Sequence, residues 1–185
     1  MSKVAVVGAG AWGTALALTL AERDSVALWT WQDEHARALA AERQNQLFLP
    51  GFPLPPSVSP TSSLEVALDG AELVVVALPT ETLRATFAAA RDHLPPVPIV
   101  LASKGIEKAT LMLPTEVADD VLGDSSRNRT LALSGPSFAV EVARRLPTNV
   151  VVAAKDHAVS VEVQGRIATE RLRVYSSDDP VGVQV

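Results

Sequence analysis

Short apolar runs recur along the chain at Val4 to Val7, Val26 to Trp29, Leu73 to Leu78, Ile99 to Ala102, Leu131 to Leu133, Val150 to Ala154 and Leu172 to Tyr175. The first six are rich in Val, Leu and Ala and do not alternate apolar with polar, the pattern of parallel strands covered on both faces. Between the runs lie Ala- and charge-rich segments of helical length: Ala11 to Glu22, Asp33 to Arg43, Thr80 to Arg91, Leu113 to Leu122, Ser137 to Arg144 and Asp156 to Ala168. This alternation predicts an open α/β layer architecture with right-handed crossovers.

Two stretches break the rhythm. Asn45 to Pro60 is rich in proline and holds Phe48 and Phe52, so it is expected to be an ordered loop lying over something, not a regular element. Gly123 to Thr130 is polar and is expected to be a plain surface connection. No internal repeat or low-complexity tract is found. The apolar end, Val181 to Val185, reads as a cut, since a natural terminus more often finishes in solvated residues.

The chain has 185 residues, 48% of them hydrophobic, ample material for a buried core in one large domain. Sixteen basic side chains against 21 acidic ones leave a formal charge of -5, and the isoelectric point is near 5.2. That balance gives no electrostatic footprint for nucleic acid or an anionic membrane. With no cysteine, disulfides, thiolate metal sites and thiol nucleophiles are excluded, and nothing points to an oxidising compartment. The apolar start up to Gly8 is too short for a signal-peptide core, and the Leu73 to Leu78 run falls far below the roughly 20 residues of a membrane span. The expectation is a soluble, cytoplasmic protein.

Gly8-Ala9-Gly10-Ala11-Trp12-Gly13 is a G-x-G-x-x-G between the first predicted strand and an Ala/Leu-rich helix. In that context Gly8 makes the tight turn, Gly10 lets backbone approach a pyrophosphate, and Gly13 lets helix pack on strand. The helix start, with Ala11, offers free N–H groups and a positive dipole end to phosphates. The fold predicted is therefore a Rossmann-type, doubly wound, mostly parallel sheet with helices on both faces. The fingerprint acid that would hold the adenosine ribose is blurred: Trp31-Gln32-Asp33 follows the second strand, so NAD and NADP both stay open. Trp31 either covers the adenine or is wedged between helix and sheet.

Extended to Gly-Ala-Gly-Ala-Trp-Gly-Thr-Ala-Leu-Ala, the motif resembles bacterial NAD(P)-dependent glycerol-3-phosphate dehydrogenases. Four more segments fit in order: Asn45-Gln46-Leu47-Phe48-Leu49-Pro50-Gly51, Ala102-Ser103-Lys104-Gly105-Ile106-Glu107, Leu133 to Ala143 with its Ser-Gly-Pro-Ser-Phe-Ala, and Val174-Tyr175-Ser176 leading to Gly182-Val183-Gln184. The resemblance implies reduction of dihydroxyacetone phosphate to sn-glycerol 3-phosphate for phospholipid synthesis. By carry-over Trp12 and Phe48 would border the cofactor, and Lys104 would reach nicotinamide and substrate. Gly135 and Ser137 would touch the phosphorylated substrate, and Ala139 the cofactor.

The residue types agree with that chemistry. Ketone reduction builds negative charge on oxygen, which an ammonium such as Lys104 stabilises, or the same group holds the substrate phosphate. Lys104 follows the run Ile99 to Ala102 after Ser103, at a strand's carboxyl end where ligands bind in open α/β sheets. The alternative is a solvated surface lysine. Ser134-Gly135-Pro136-Ser137 is expected to open a helix and hold an anion, or to supply an N-cap only. His35, His93 and His157 show no metal-ligand spacing and read as surface residues.

The resemblance further implies a helical substrate domain, absent from these residues, carrying the catalytic lysine. Residues 1 to 185 would then be a dinucleotide-binding domain with no catalytic residue of its own and little turnover. Its uncovered apolar patch, partly Val181 to Val185, would favour self-association. The competing readings are another two-domain dehydrogenase of small hydroxy acids, and a non-catalytic nucleotide-binding module.

Overall fold

The structure is a computed structural model and describes residues 1–123 and 126–185. Its elements run β1 (Lys3–Val7), α1 (Ala11–Leu20), β2 (Ser25–Trp29), α2 (Asp33–Glu42), β3 (Gln44–Asn45), β4 (Leu49–Pro53), β5 (Val58–Thr61), α3 (Leu64–Leu68), β6 (Leu73–Val76) and α4 (Thr80–Ala90). They continue with β7 (Ile99–Leu101), α5 (Pro114–Leu122), β8 (Thr130–Ser134), α6 (Ala139–Ala143), β9 (Thr148–Ala153), α7 (His157–Ile167), β10 (Leu172–Ser177) and α8 (Pro180–Gln184).

Eight strands form one sheet in the order β10-β9-β8-β7-β6-β1-β2-β5, parallel at every pairing except β8 with β9. Successive residues of β1 point to opposite faces, and both faces are dry. Val4 and Val6 pack with Leu16, Ala17 and Leu20 of α1 in the core that also takes Val163 and Ile167 of α7. Ala5 and Val7 pack in a second core with Leu68 of α3, Leu83 and Phe87 of α4 and Val117 of α5. This double covering explains why the strands read as continuous apolar runs, and it makes the fold the doubly wound α/β type expected.

β9 departs from a fully parallel reading: it runs antiparallel to β8, with Leu133 opposite Val152. The segment between them does not cross the sheet. Its helix α6 has five residues and packs Val142 against Ala15 of α1 and Leu49 of β4, so the chain re-enters the sheet from the end at which it left.

Asn45 to Pro60 is not the loop expected. β3 and β4 pair antiparallel in a small hairpin, and β5 adds to the edge of the main sheet beside β2. Pro60 is tolerated in β5 because that strand pairs on one side only, leaving the other side without a ladder to satisfy. The guanidinium of Arg43, beyond α2, stitches the segment together through the carbonyls of Leu54, Pro55 and Val58. The expected connection Gly123 to Thr130 is described only in part, and there Ser126 is buried, with its hydroxyl donating to the Gly123 carbonyl. The terminal segment after β10 forms α8, whose Gln184 bonds Thr115 of α5 through both its backbone N–H and its hydroxyl. No helix among the described residues is long and apolar enough to cross a membrane.

Candidate functional site

The strand order reverses at β1, which has β2 on one side and β6 on the other. In open α/β sheets the crevice at the carboxyl ends of the strands beside such a switch point is where ligands bind. A cleft of about 320 Å³ lies there, lined by Trp12, by Ala77, Leu78 and Pro79 after β6, by Ala102, Ser103 and Lys104 after β7, and by Ser137, Phe138 and Ala139 before α6. The volume is at the lower end of small-molecule sites. It suits one half of a dinucleotide, with the rest lying along the glycine turn.

That turn has the geometry the three glycines promise. Gly8 has φ of 121°, and a Cβ on it would meet the Ala77 carbonyl oxygen at 2.4 Å. A Cβ on Gly13 would lie 1.8 Å from the Gly8 carbonyl oxygen, so α1 packs against the turn only because no side chain intervenes. Gly10 differs from both: a Cβ there would meet nothing within 4 Å. Packing of the chain therefore leaves open the side of Gly10 that a pyrophosphate would approach. Gly10 is also the N-cap of α1 and has no side chain to cap it, and the first-turn residues include no acid. The N–H groups of Ala11, Trp12 and Gly13 precede the first intrahelical bond, from Thr14 N–H to the Gly10 carbonyl at 3.0 Å. The residues present fit a dinucleotide phosphate.

The turn is held from behind by a buried side chain. Asn45 Nδ2 donates to the Ala9 carbonyl at 2.9 Å and to Thr14 Oγ1 at 2.8 Å. Its Oδ1 therefore accepts from His35 Nε2 at 3.2 Å, which places the proton on Nε2 and leaves Nδ1 to accept from the Thr30 hydroxyl at 3.1 Å. His35 is thus buried and bonded on both nitrogens, correcting its reading as a surface residue, whereas His93 and His157 are exposed. Phe48 packs edge-on against the His35 ring, with centroids 5.4 Å apart.

Lys104 stands exposed beyond β7, at the strand end expected. Its backbone carbonyl accepts from Thr80 Oγ1 at 2.8 Å, and Gly105 turns the chain with φ of 100°. Glu107, three residues on, is gripped by the guanidinium of Arg84 at 2.9 to 3.2 Å and by the Thr110 hydroxyl at 2.5 Å. Arg84 also reaches Asp120 at 2.5 Å. These bonds hold the Glu107 carboxyl below its ordinary range, Arg84 first and Thr110 second, and the two carboxylates raise the Arg84 guanidinium further. Thr80 and Arg84 lie four apart on α4 and so hold the Lys104 loop at both ends from one helix face.

The structure gathers Gly8, Gly10, Ala11, Trp12, Gly13, Lys104, Ser137 and Ala139 at one end of the sheet, and it separates others. Trp31 is 72% exposed, which removes the wedged alternative. Phe48 is outside the cleft lining, on the hairpin beside His35. Gly135 is also outside it: a Cβ there would meet the Asn149 carbonyl oxygen at 2.8 Å, so the glycine is required by the approach of β9. Ser137 does not cap a helix, because α6 begins two residues later with Phe138 as its N-cap and no side-chain cap bond. Its hydroxyl lies 3.4 Å from the Gly135 carbonyl. Ser103, Leu78, Pro79 and Phe138 line the cleft without having been singled out from the sequence, and neither had Thr80 behind them. The signals for Ser103 were its place beside Lys104 and within the segment Ala102 to Glu107 that carries the resemblance.

The family model described as NAD-dependent glycerol-3-phosphate dehydrogenase N-terminus matches residues 3–160. The chain is 43% identical over 184 residues to a glycerol-3-phosphate dehydrogenase [NAD(P)+] of Mesorhizobium japonicum, covering 99% of this chain and 53% of that protein. It is 46% identical over 182 residues to the Nitrosomonas europaea protein of the same name, covering 98% and 55%. The crystal structure of glycerol-3-phosphate dehydrogenase from Coxiella burnetii superposes with a TM-score of 0.91 at 32% identity, covering 99% of this chain and 56% of that one. The chain spans about half the length of the curated relatives it matches. The strand order, the glycine turn and these matches agree, and the chain belongs to the family of NAD-dependent glycerol-3-phosphate dehydrogenase N-terminal domains.

Proposed function

We propose that residues 1 to 185 form a dinucleotide-binding domain that supplies one wall of the active site of an NAD(P)-dependent sn-glycerol-3-phosphate dehydrogenase. The observation that carries this reading is the continuity of the glycine turn, open at Gly10, with the cleft that holds Lys104. Gly8, Gly10 and Gly13 shape the turn, and the N–H groups of Ala11 and Trp12 face the pyrophosphate. Trp12 and Ala139 border the nicotinamide end, while Trp31 and Phe48 flank the adenosine end. When bound, the reduced nicotinamide supplies a hydride to the carbonyl carbon of dihydroxyacetone phosphate.

Lys104 stabilises the negative charge that develops on the carbonyl oxygen or holds the substrate phosphate, and Ser137 lines the substrate side, with Gly135 behind it allowing the close approach of β9. The proton that completes the alcohol, and the second wall that closes on the substrate, come from the other half of the relatives' length. No residue of this chain is assigned as the catalytic acid. In cells the product would serve phospholipid synthesis in the cytoplasm, and exposed Phe138, Val181 and Val185 would favour self-association of the isolated chain.

Titration of the 185-residue chain with NADH, followed by an assay of dihydroxyacetone phosphate reduction, tests this. Saturable binding without turnover is expected. Turnover by these residues alone would remove the half-site assignment, and absence of binding would remove the dinucleotide reading.

A further inference from the structure

Ser103 closes the apolar run of β7 and forms part of the cleft wall. It is 6% exposed, and its Oγ is a buried side-chain oxygen with no hydrogen-bond partner. Folded proteins rarely leave a buried hydroxyl unpaired, because it has given up its bonds to water and received nothing in return. An alanine would fill the same place without that cost.

Its neighbours are already committed. Thr80 spends its hydroxyl on the Lys104 carbonyl at 2.8 Å, and the Ala102 N–H donates to the Val76 carbonyl at 2.8 Å. The backbone on both sides of Ser103 is therefore held, so rotation about Cα–Cβ is the freedom left to its hydroxyl for meeting a ligand in the cleft that the residue lines.

The rest of the lining says what would meet it there. Trp12, Ala77, Leu78, Pro79, Phe138 and Ala139 make the walls apolar, and Lys104 is the cation of the lining. An anion would go to Lys104. An uncharged hydroxyl between apolar walls suits a flat, neutral ring with a polar group on its edge. Resting on the dinucleotide reading above, we propose that Ser103 binds the nicotinamide half of the cofactor, its hydroxyl pairing with the carboxamide or with a hydroxyl of the adjoining ribose.

The test is Ser103→Ala in the 185-residue chain, with thermal unfolding of the ligand-free protein and calorimetric titration with NADH and with ADP, which lacks the nicotinamide half. The variant is expected to melt at or above the wild-type temperature, since an unpaired polar atom is removed. Its Kd for NADH should rise about five- to tenfold, the worth of one ordinary hydrogen bond, with ADP binding unchanged. A melting temperature lowered by several degrees would show that the hydroxyl already has a structural partner, and would overturn the proposal. Unchanged NADH affinity, or an equal loss for NADH and ADP, would overturn it while leaving the dinucleotide reading in place. Wild-type chain that binds ADP but not NADH would overturn it too, and wild-type chain that binds neither would remove both.

Discussion

Gly10 and Gly13 stand three residues apart in one motif, yet the structure assigns them opposite costs when a methyl group is added. At Gly10 the backbone has φ of -74° and ψ of -175°, extended geometry that alanine adopts freely, and the new Cβ meets nothing within 4 Å. Restricting the unfolded chain gains about 0.4–1 kcal/mol, and replacing a glycine N-cap by alanine loses a similar amount. The net change in Gly10→Ala is within about 0.5 kcal/mol, or about 2 °C for a domain of this size.

At Gly13 the Cβ would sit 1.8 Å from the Gly8 carbonyl oxygen, so the turn and α1 must separate by more than an ångström. Overpacking of that kind costs about 1–3 kcal/mol or more, a fall of roughly 4–10 °C. Binding should follow a different order. The methyl group of Gly10→Ala occupies the open side where the pyrophosphate approaches, and a tenfold or greater rise in the Kd for NADH is expected, about 1.4 kcal/mol.

Differential scanning calorimetry of both ligand-free variants, with NADH titration of Gly10→Ala, separates the two roles. Wild-type NADH affinity in Gly10→Ala would refute the assignment of the open side to the pyrophosphate. A drop beyond about 5 °C in that variant would show that Gly10 serves packing instead.

Asn45→Ala removes the donors to Ala9 and Thr14 and the acceptor of His35 within a buried network, so a loss of about 1–3 kcal/mol is expected in urea unfolding, and a change below about 0.5 kcal/mol would contradict the network. The Glu107 carboxyl is held below its ordinary value of 4.5 by Arg84, so its contribution to stability is complete above that pH and is lost as pH falls through the lowered value. Melting curves should accordingly show wild type converging on Glu107→Gln only in acid below pH 4.5, and a gap that stays constant down to pH 2 would refute this. Between Thr30 and Glu34 the chain has two carboxylates, Asp33 and Glu34 in the first turn of α2, and no cation. A 2'-phosphate placed there meets repulsion, so NADH should bind more tightly than NADPH and Trp31→Arg should narrow the difference, whereas equal affinities in wild type would count against it.

What could be read from the sequence was whatever depends on residues close together along the chain. The spacing of Gly8, Gly10 and Gly13 between an apolar run and a helical segment specifies the turn, because positive φ and the absence of a Cβ are local backbone requirements. Unbroken apolar runs such as Val4 to Val7 specify strands covered on both faces, and Lys104, two residues past the run that ends at Ala102, specifies a side chain at a strand end.

The tertiary structure decided what depends on partners distant along the chain. β9 runs antiparallel because α6 docks on α1 and β4 and never crosses the sheet. β5 joins the sheet because β2 offers it an edge. His35 is a buried network member because Asn45, ten residues on, reaches both its ring and the glycine turn. Ser103 carries an unpaired hydroxyl between two residues whose backbone is held from elsewhere in the chain, Ala102 by Val76 and Lys104 by Thr80. A hydroxyl or an imidazole carries no mark in the sequence of whether it will find water, a partner or nothing, since that is settled only when elements remote in sequence close around it.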